Sequence, residues 1–138
     1  MSGVTVRVEL GGSRLGRFDS TIIFETLATG CPRVAAFLSI HNMTGWMIDA
    51  FGPRGFRKQV VPNLTSMDSI ASYCLTELGS GSDAAALRTR AVLDGDAYVV
   101  NGGEGCVRVV TRADNSVVLR VHAPARACLN LSPPFGSP

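Results

Sequence analysis

The stretch ASYCLTELGSGSDAAAL, residues 71–87, decides the fold, because an apolar run ends there in a Gly/Ser turn closed by an acid. Residues 71–76 have the length and aromatic content of a β-strand. Their side chains alternate between two faces, with Tyr73 and Leu75 on one and Cys74 and Thr76 on the other. We expect an edge strand here, with helices before it and strands after it.

The turn at residues 79–83, GSGSD, is rich in glycine and serine. Two glycines relax the backbone, so that consecutive N–H groups can point into one concavity while the serine hydroxyls add further donors. Such a loop suits an anion or the polar edge of a cofactor ring. On composition alone, however, the signal is weak, because most Gly/Ser loops are only connectors.

The order of residues is more specific than their composition. Residues 74–86, CLTELGSGSDAAA, resemble the first signature of the acyl-CoA dehydrogenase family, with Cys-aliphatic-Thr-Glu, then Gly-Ser-Asp, then a small residue. The flanking SIHNM at 39–43 and WMID at 46–49 are most similar to the branch that acts on short branched acyl-CoA esters. The resemblance runs from about Gly3 to Gly102, and Leu78 departs from it where proline is usual.

The resemblance implies an α+β fold, with helices of the family's N-terminal domain followed by the first antiparallel strands of its middle β-domain. On that basis we expect a partial helical domain at 1–69 and a partial β-domain at 70–138, with a divergent tail from about residue 103. Because family members are much longer than 138 residues, we expect an incomplete piece.

The resemblance also implies FAD as cofactor and α,β-dehydrogenation of a short branched acyl-CoA, in branched-chain amino acid catabolism. The implied flavin contacts are Tyr73, Cys74, Leu75, Thr76, Gly81 and Ser82, and Ser82 would also contact the acyl-CoA substrate. Implied partners are an electron-transferring flavoprotein and further copies in a homotetramer. The implied location is the mitochondrial matrix, although residues 1–10 do not have the composition of a transit peptide.

No residue of this chain matches the family's catalytic base, which belongs to a later domain. Glu77 and Asp83 are therefore interpreted as residues that fix the loop. The family's second flavin segment should follow Gly102, but Gly103-Glu104-Gly105-Cys106 comes instead. We expect this chain to be catalytically incompetent as written. The alternative hypothesis is a non-enzymatic α+β fragment that binds a protein partner.

Composition excludes several other classes of protein. The 13 basic and 11 acidic residues are dispersed, without the basic run that nucleic-acid binding requires. Four cysteines lie far apart, without metal-ligand spacing, so neither a zinc site nor a redox dithiol is predicted: Cys31, Cys74, Cys106 and Cys128. Polar residues interrupt the longest apolar segment, which argues against a membrane span.

Three helices are predicted before residue 71. The first starts near Thr21, after an N-cap at Asp19-Ser20, and stops at Gly30. The second runs from Pro32 to Gly52 and should be the best-buried helix, through a stripe of Phe37, Ile40, Met47 and Phe51. The third spans residues 54–61, has a basic outer face and ends at Pro62.

The alternation in Val4–Leu10 favours a strand, whereas the family resemblance implies an extended segment leading into the helices. His41 and Trp46 are interpreted as packing residues. Two hairpins are predicted: residues 87–93 with 97–100 around Asp94-Gly95-Asp96, and 107–110 with 117–121 around Asp114-Asn115. The end, residues 131–138, is expected to be a loose tail.

Overall fold

The computed structural model describes residues 1–95, 97–103, 115–118 and 130–132. Within these residues, three helices come first and the strands follow, which confirms the predicted α+β class. The elements are α1 (Arg17–Gly30), α2 (Pro32–Phe51), α3 (Arg54–Ser66), β1 (Ala71–Cys74), β2 (Arg90–Asp94), β3 (Ala97–Asn101), β4 (Asn115–Val118) and β5 (Asn130–Ser132).

The strands form two small sheets. In the three-stranded sheet the order is β1-β4-β5; β1 pairs with β4 in parallel and β4 pairs with β5 antiparallel. Among the described strands, β1 is therefore at an edge, as predicted, although it ends at Cys74 rather than at Thr76. The second sheet is the β2–β3 hairpin, confirmed with Asp94 opposite Ala97 and with Gly95 at a φ of 59°. Its first strand begins at Arg90, three residues later than predicted.

Only part of the second predicted hairpin can be compared with the structure. Residues 107–110 and Asp114, like Cys106 and Cys128, lie outside the described residues. Asn115, predicted as part of the turn, is instead the first residue of β4. The expectation of a loose tail is wrong at Leu131 and Ser132, because both pair with β4 in strand β5.

Helix α1 begins at Arg17, four residues before the predicted start. The carboxylate of Asp19 accepts a hydrogen bond from the backbone N–H of Gly16 at 2.9 Å. Asp19 therefore lies in the first helical turn and reaches back to the cap, instead of being the cap itself.

Helix α3 runs through Pro62 and ends at Ser66, followed by the cap residue Met67 with a left-handed φ of 67°. The prediction that Pro62 ends the helix was wrong. Proline removes one backbone hydrogen bond, but Val61 and Leu64 on either side are buried, and their packing outweighs that loss.

The N-terminal segment is not a strand, so the prediction from its alternation was wrong. Val4 and Val6 are buried as alternation requires, but Val8 is exposed and starts a 3₁₀ turn that ends at Gly11. Gly11 has a φ of 84°, and the chain then folds back so that the Leu15 N–H donates to the Val4 carbonyl at 2.8 Å. The segment thus pairs with itself as a compact loop on the helices.

Helix α2 contributes more buried residues than α1 or α3, as predicted, but through an unexpected face. The predicted apolar stripe is half-buried, and Phe51 is 65% exposed. The buried face is mostly polar and comprises Ala35, His41, Asn42, Thr44, Gly45, Ile48 and Asp49. Ile48 joins the main hydrophobic cluster with Val6, Val60, Val61, Leu64 and Ala71.

The polar side chains of α2 are buried because they bind backbone. Asn42 Oδ1 accepts from the Val4 N–H at 2.8 Å, and Asp49 accepts from the Arg7 N–H and Nε–H at 3.2 and 2.8 Å. The helix therefore supplies hydrogen bonds that the irregular N-terminal loop cannot make for itself. Among the described residues, none of the helices is long and apolar enough to cross a membrane.

Candidate functional site

The predicted signature strand lies against the buried face of α2. The backbone N–H of Ala71 donates to Nδ1 of His41 at 3.1 Å, and the Thr44 hydroxyl donates to the Ser72 carbonyl at 3.4 Å. His41 and Thr44 are one helical turn apart, so a single face of α2 holds two successive residues of β1. His41 is thus a packing residue, as predicted, and also a hydrogen-bonding one.

Trp46 likewise packs within the helical part of the chain. It makes an edge contact with the Phe51 ring at 5.7 Å between centroids, and the Arg17 guanidinium lies 5.4 Å from its ring. These contacts confirm the interpretation of Trp46 as a packing residue.

Glu77 fixes the loop that follows β1. Its two carboxylate oxygens accept from the backbone N–H groups of Arg88, at 2.8 Å, and Thr89, at 2.6 Å. Hydrogen bonds from Thr89 and from the Arg88 backbone lower the pKa of Glu77. A buried, ionised carboxylate that already accepts two hydrogen bonds is a poor general base. This agrees with the predicted structural role of Glu77.

The Gly/Ser turn closes on itself. Glu77 and Ser80 exchange two backbone hydrogen bonds, at 2.9 and 3.1 Å, and the Ser80 hydroxyl donates to the Asp83 carbonyl. The Asp83 carboxylate accepts from the Ala85 N–H at 3.2 Å and begins a 3₁₀ turn at residues 84–86. Asp83 therefore also fixes the loop, as predicted.

The six predicted flavin contacts lie along one continuous path from β1 into this turn. Cys74 is buried, Tyr73, Leu75 and Thr76 are half-buried, and Gly81 and Ser82 are exposed. Burial raises the pKa of the Tyr73 phenol, so this hydroxyl stays protonated at neutral pH. Tyr73 packs against the hydrophobic cluster of the helices, so one of the six residues is in contact with the core.

The outer side of this path is open to a ligand. A Cβ placed on Gly79 or Gly81 would meet no heavy atom within 4 Å. Within the described part of the chain, the hydroxyls of Thr76 and Ser82 have no protein hydrogen-bond partner. Two available hydroxyls and the half-buried apolar Leu75 are the kinds of group that bind a flat aromatic ring with a polar edge, so the residues present suit a flavin.

Two concavities of the described structure lie elsewhere. One, of about 470 Å³, is lined by the N-terminal loop, α1 and α2, including Leu15, Phe24 and Trp46. The other, of about 190 Å³, is lined mostly by basic residues, among them Arg54 and Lys58, together with Glu9 and Leu10. Neither includes a residue of the path described above. Within the described residues, no group of three or more His, Cys, Asp or Glu side chains could hold a metal ion.

Comparison with known proteins connects these elements to a family. Residues 1–68 match the family model for the acyl-CoA dehydrogenase N-terminal domain. The chain is 50% identical over 117 residues, 85% of its length, to a mitochondrial isobutyryl-CoA dehydrogenase of Bos taurus. The chain belongs to the acyl-CoA dehydrogenase family.

Two further acyl-CoA dehydrogenases extend the comparison. The mitochondrial isobutyryl-CoA dehydrogenase of Dictyostelium discoideum is 50% identical over 105 residues, 76% of this chain and 25% of that one. The structure of an acyl-CoA dehydrogenase complexed with FAD from Bacillus anthracis superposes with a TM-score of 0.79 at 28% identity, covering 95% of this chain and 23% of that one. The chain spans 28% of the length of its Bos taurus relative.

Sequence reasoning missed two parts of this site. The sequence predicts a packing role for His41, but no pattern in a single sequence shows which backbone a buried ring will bind. Gly102 marks the end of the family resemblance in the sequence, yet a Cβ there would also lie 2.6 Å from the Thr89 Cβ. The Gly102 backbone approaches Thr89, the residue just before β2, whose N–H binds Glu77, and only glycine allows this approach.

Proposed function

We propose that this chain carries the signature strand and part of the flavin site of an FAD-dependent acyl-CoA dehydrogenase acting on a short branched acyl-CoA. The observation that carries the proposal is the 50% identity to isobutyryl-CoA dehydrogenases from two distant organisms. The division into a helical part at 1–69 and a β part at 70–138 is included in the proposal.

In this proposal, Tyr73, Cys74 and Leu75 flank the flavin ring, and the Thr76 hydroxyl donates to its polar edge. Donors at that edge stabilise the negative charge of a reduced flavin. When bound, FAD supplies the acceptor for the hydride that leaves the acyl-CoA. Gly81 leaves room for the cofactor, and the exposed Ser82 hydroxyl contacts both FAD and substrate.

The proposal assigns no catalytic base to this chain. Glu77 is held by two backbone donors, and Asp83 is held by one. Turnover therefore requires a carboxylate that these residues do not provide, and we expect the 138-residue chain to bind without dehydrogenating. For the whole enzyme, we propose an electron-transferring flavoprotein as electron acceptor and a homotetramer. We also propose the mitochondrial matrix as its location, because both relatives are named as mitochondrial.

The test is the visible absorption spectrum of the purified chain after incubation with FAD and gel filtration. A retained flavin band supports the proposal. Removal of a single hydroxyl in Ser82→Ala should then weaken FAD binding about three- to tenfold, the worth of one hydrogen bond. The matched control is Ser13→Ala, at an exposed serine of the N-terminal loop, which should leave FAD binding unchanged.

Loss of the flavin band from a chain with a folded circular-dichroism spectrum would contradict the proposal. That outcome would favour a fragment that binds a protein partner, for which α1 offers exposed apolar side chains at Phe18 and Ile22.

A further inference from the structure

We infer that His41 is a positioning residue for the flavin-binding strand, because it sets the register of β1 against the helices. The inference rests on the proposed function. His41 is 1% exposed and uses both ring nitrogens. Its Nδ1 accepts from the Ala71 N–H at 3.1 Å, and its Nε2 lies 2.9 Å from the Leu64 carbonyl oxygen.

These two partners determine the form of the ring. A backbone N–H can only donate and a carbonyl can only accept. Nδ1 therefore carries no hydrogen, and Nε2 carries one. His41 is therefore held as the neutral Nε2–H tautomer. In this form it joins three elements at one point: its own helix α2, the last turns of α3 at Leu64, and the first residue of β1.

The hydrogen bond between Ala71 and His41 lies at the start of the strand that carries the proposed flavin contacts. β1 has only four residues, and α2 binds the first two of them, Ala71 through His41 and Ser72 through Thr44, so these contacts fix where the strand starts against the helices. A slip by one residue would exchange the faces of Tyr73 and Cys74 and move the Thr76 hydroxyl along the strand by about 3.3 Å. Thr44, which donates to the Ser72 carbonyl, supports the same register from the next turn of α2.

Two substitutions separate the strand contact from the helix contact. In His41→Asn, the carboxamide oxygen takes the place of Nδ1, so the acceptor for Ala71 is kept and the donor to Leu64 is lost. In His41→Gln, the carboxamide nitrogen takes the place of Nε2, so the donor to Leu64 is kept and the acceptor for Ala71 is lost. Both variants lose one hydrogen bond and the contact with the Phe37 ring, so similar melting temperatures are expected.

The experiment measures the FAD dissociation constant by flavin fluorescence, the melting temperature, and amide hydrogen exchange of residues 71–74, for the wild-type chain and both variants. We expect His41→Gln to weaken FAD binding about tenfold and His41→Asn to change it by less than about threefold. Exchange at residues 71–74 should accelerate in the Gln variant and stay near wild type in the Asn variant.

A purely structural His41 would weaken FAD binding equally in both variants, in step with their lost stability, and this result would overturn the inference. If the wild-type chain retains no FAD, the proposed function fails, and hydrogen exchange decides the register claim by itself. Faster exchange at residues 71–74 in the Gln variant than in the Asn variant then supports the claim, and equal exchange refutes it.

Discussion

The clearest chemistry at the scale of single residues belongs to Glu77, whose carboxylate joins the loop after β1 to the start of β2. The hydrogen bond with the Thr89 side chain is the largest cause of its lowered pKa, followed by that from the Arg88 backbone. A lowered pKa in the folded chain means that the ionised form stabilises the fold. This contribution is fully present above the ordinary value of 4.5 and is lost as the pH falls through the folded-state pKa.

Replacement of Glu77 by glutamine tests this linkage. At pH 7 we expect Glu77→Gln to lower the melting temperature by roughly 5 °C, because one carboxamide group cannot accept from both N–H groups. Between pH 5 and pH 3, the difference from wild type should shrink, since protonation removes the same charge from Glu77. Thermal unfolding, followed by circular dichroism at pH 7, pH 5 and pH 3, measures this difference in melting temperature. A difference that stays constant with pH would contradict the assignment.

Gly102 offers a second test with a neighbouring control. In Gly102→Ala the new methyl group falls on the buried Thr89 side chain. We expect a loss of about 1–3 kcal/mol in the free energy of unfolding, as for other overpacked sites. Gly103→Ala meets nothing within 4 Å and should change it by less than about 0.5 kcal/mol. Urea denaturation of both variants provides the comparison, and equal losses would refute the close approach.

At the scale of elements, α2 shows why its ends were predictable and its buried face was not. Pro32 at the first turn and Gly52-Pro53 at the end are local signals, and both boundaries are confirmed. The buried face depends on contacts with distant residues. Its histidine, asparagine, threonine and aspartate side chains are buried because the irregular backbone at residues 4–7 and the first two residues of β1 need donors and acceptors. No periodicity in the helix reveals that need.

The polar face of α2 can be tested at Asn42. Asn42→Ala removes the acceptor for the buried Val4 N–H, which is left unsatisfied, and the donor to the part-buried Leu38 carbonyl. We expect the free energy of unfolding to fall by about 1–3 kcal/mol. The same substitution at the exposed Asn63 of α3, whose side chain makes one hydrogen bond of 3.5 Å, should cost less than about 0.5 kcal/mol. If Asn63→Ala cost as much as Asn42→Ala in urea denaturation, backbone binding would not explain the burial.

At the scale of the whole molecule, the features that the sequence predicts correctly are those that a single local motif specifies. The signature at residues 74–86 led to the family, and Asp94-Gly95 led to the β2–β3 hairpin. Prediction failed where distant contacts decide structure: the Val4–Leu10 segment closes on itself instead of forming a strand, and α3 continues through Pro62. The six predicted flavin contacts lie on one path, but their binding of a cofactor stays a prediction.

The helical part of the molecule also leaves apolar side chains exposed to solvent, and these side chains bear on whether copies of the chain associate. Helix α1 has no buried residue; it packs on α2 through half-buried side chains, while Phe18 is 76% exposed and Ile22 is 48% exposed. Exposed apolar side chains on one helix favour association with any matching surface, including a second copy. We therefore expect the chain to self-associate in a concentration-dependent manner.

The double substitution Phe18→Ser with Ile22→Ser should shift the molecule toward monomer in sedimentation velocity experiments. Its melting temperature at low concentration should change little, because the removed side chains are largely exposed in the fold. The control on the same helix is Glu25→Ser with Thr29→Ser, at exposed polar positions, which should leave association unchanged. If both double variants sediment like the wild-type chain, its association does not depend on the exposed apolar side chains of α1, and another surface must carry it.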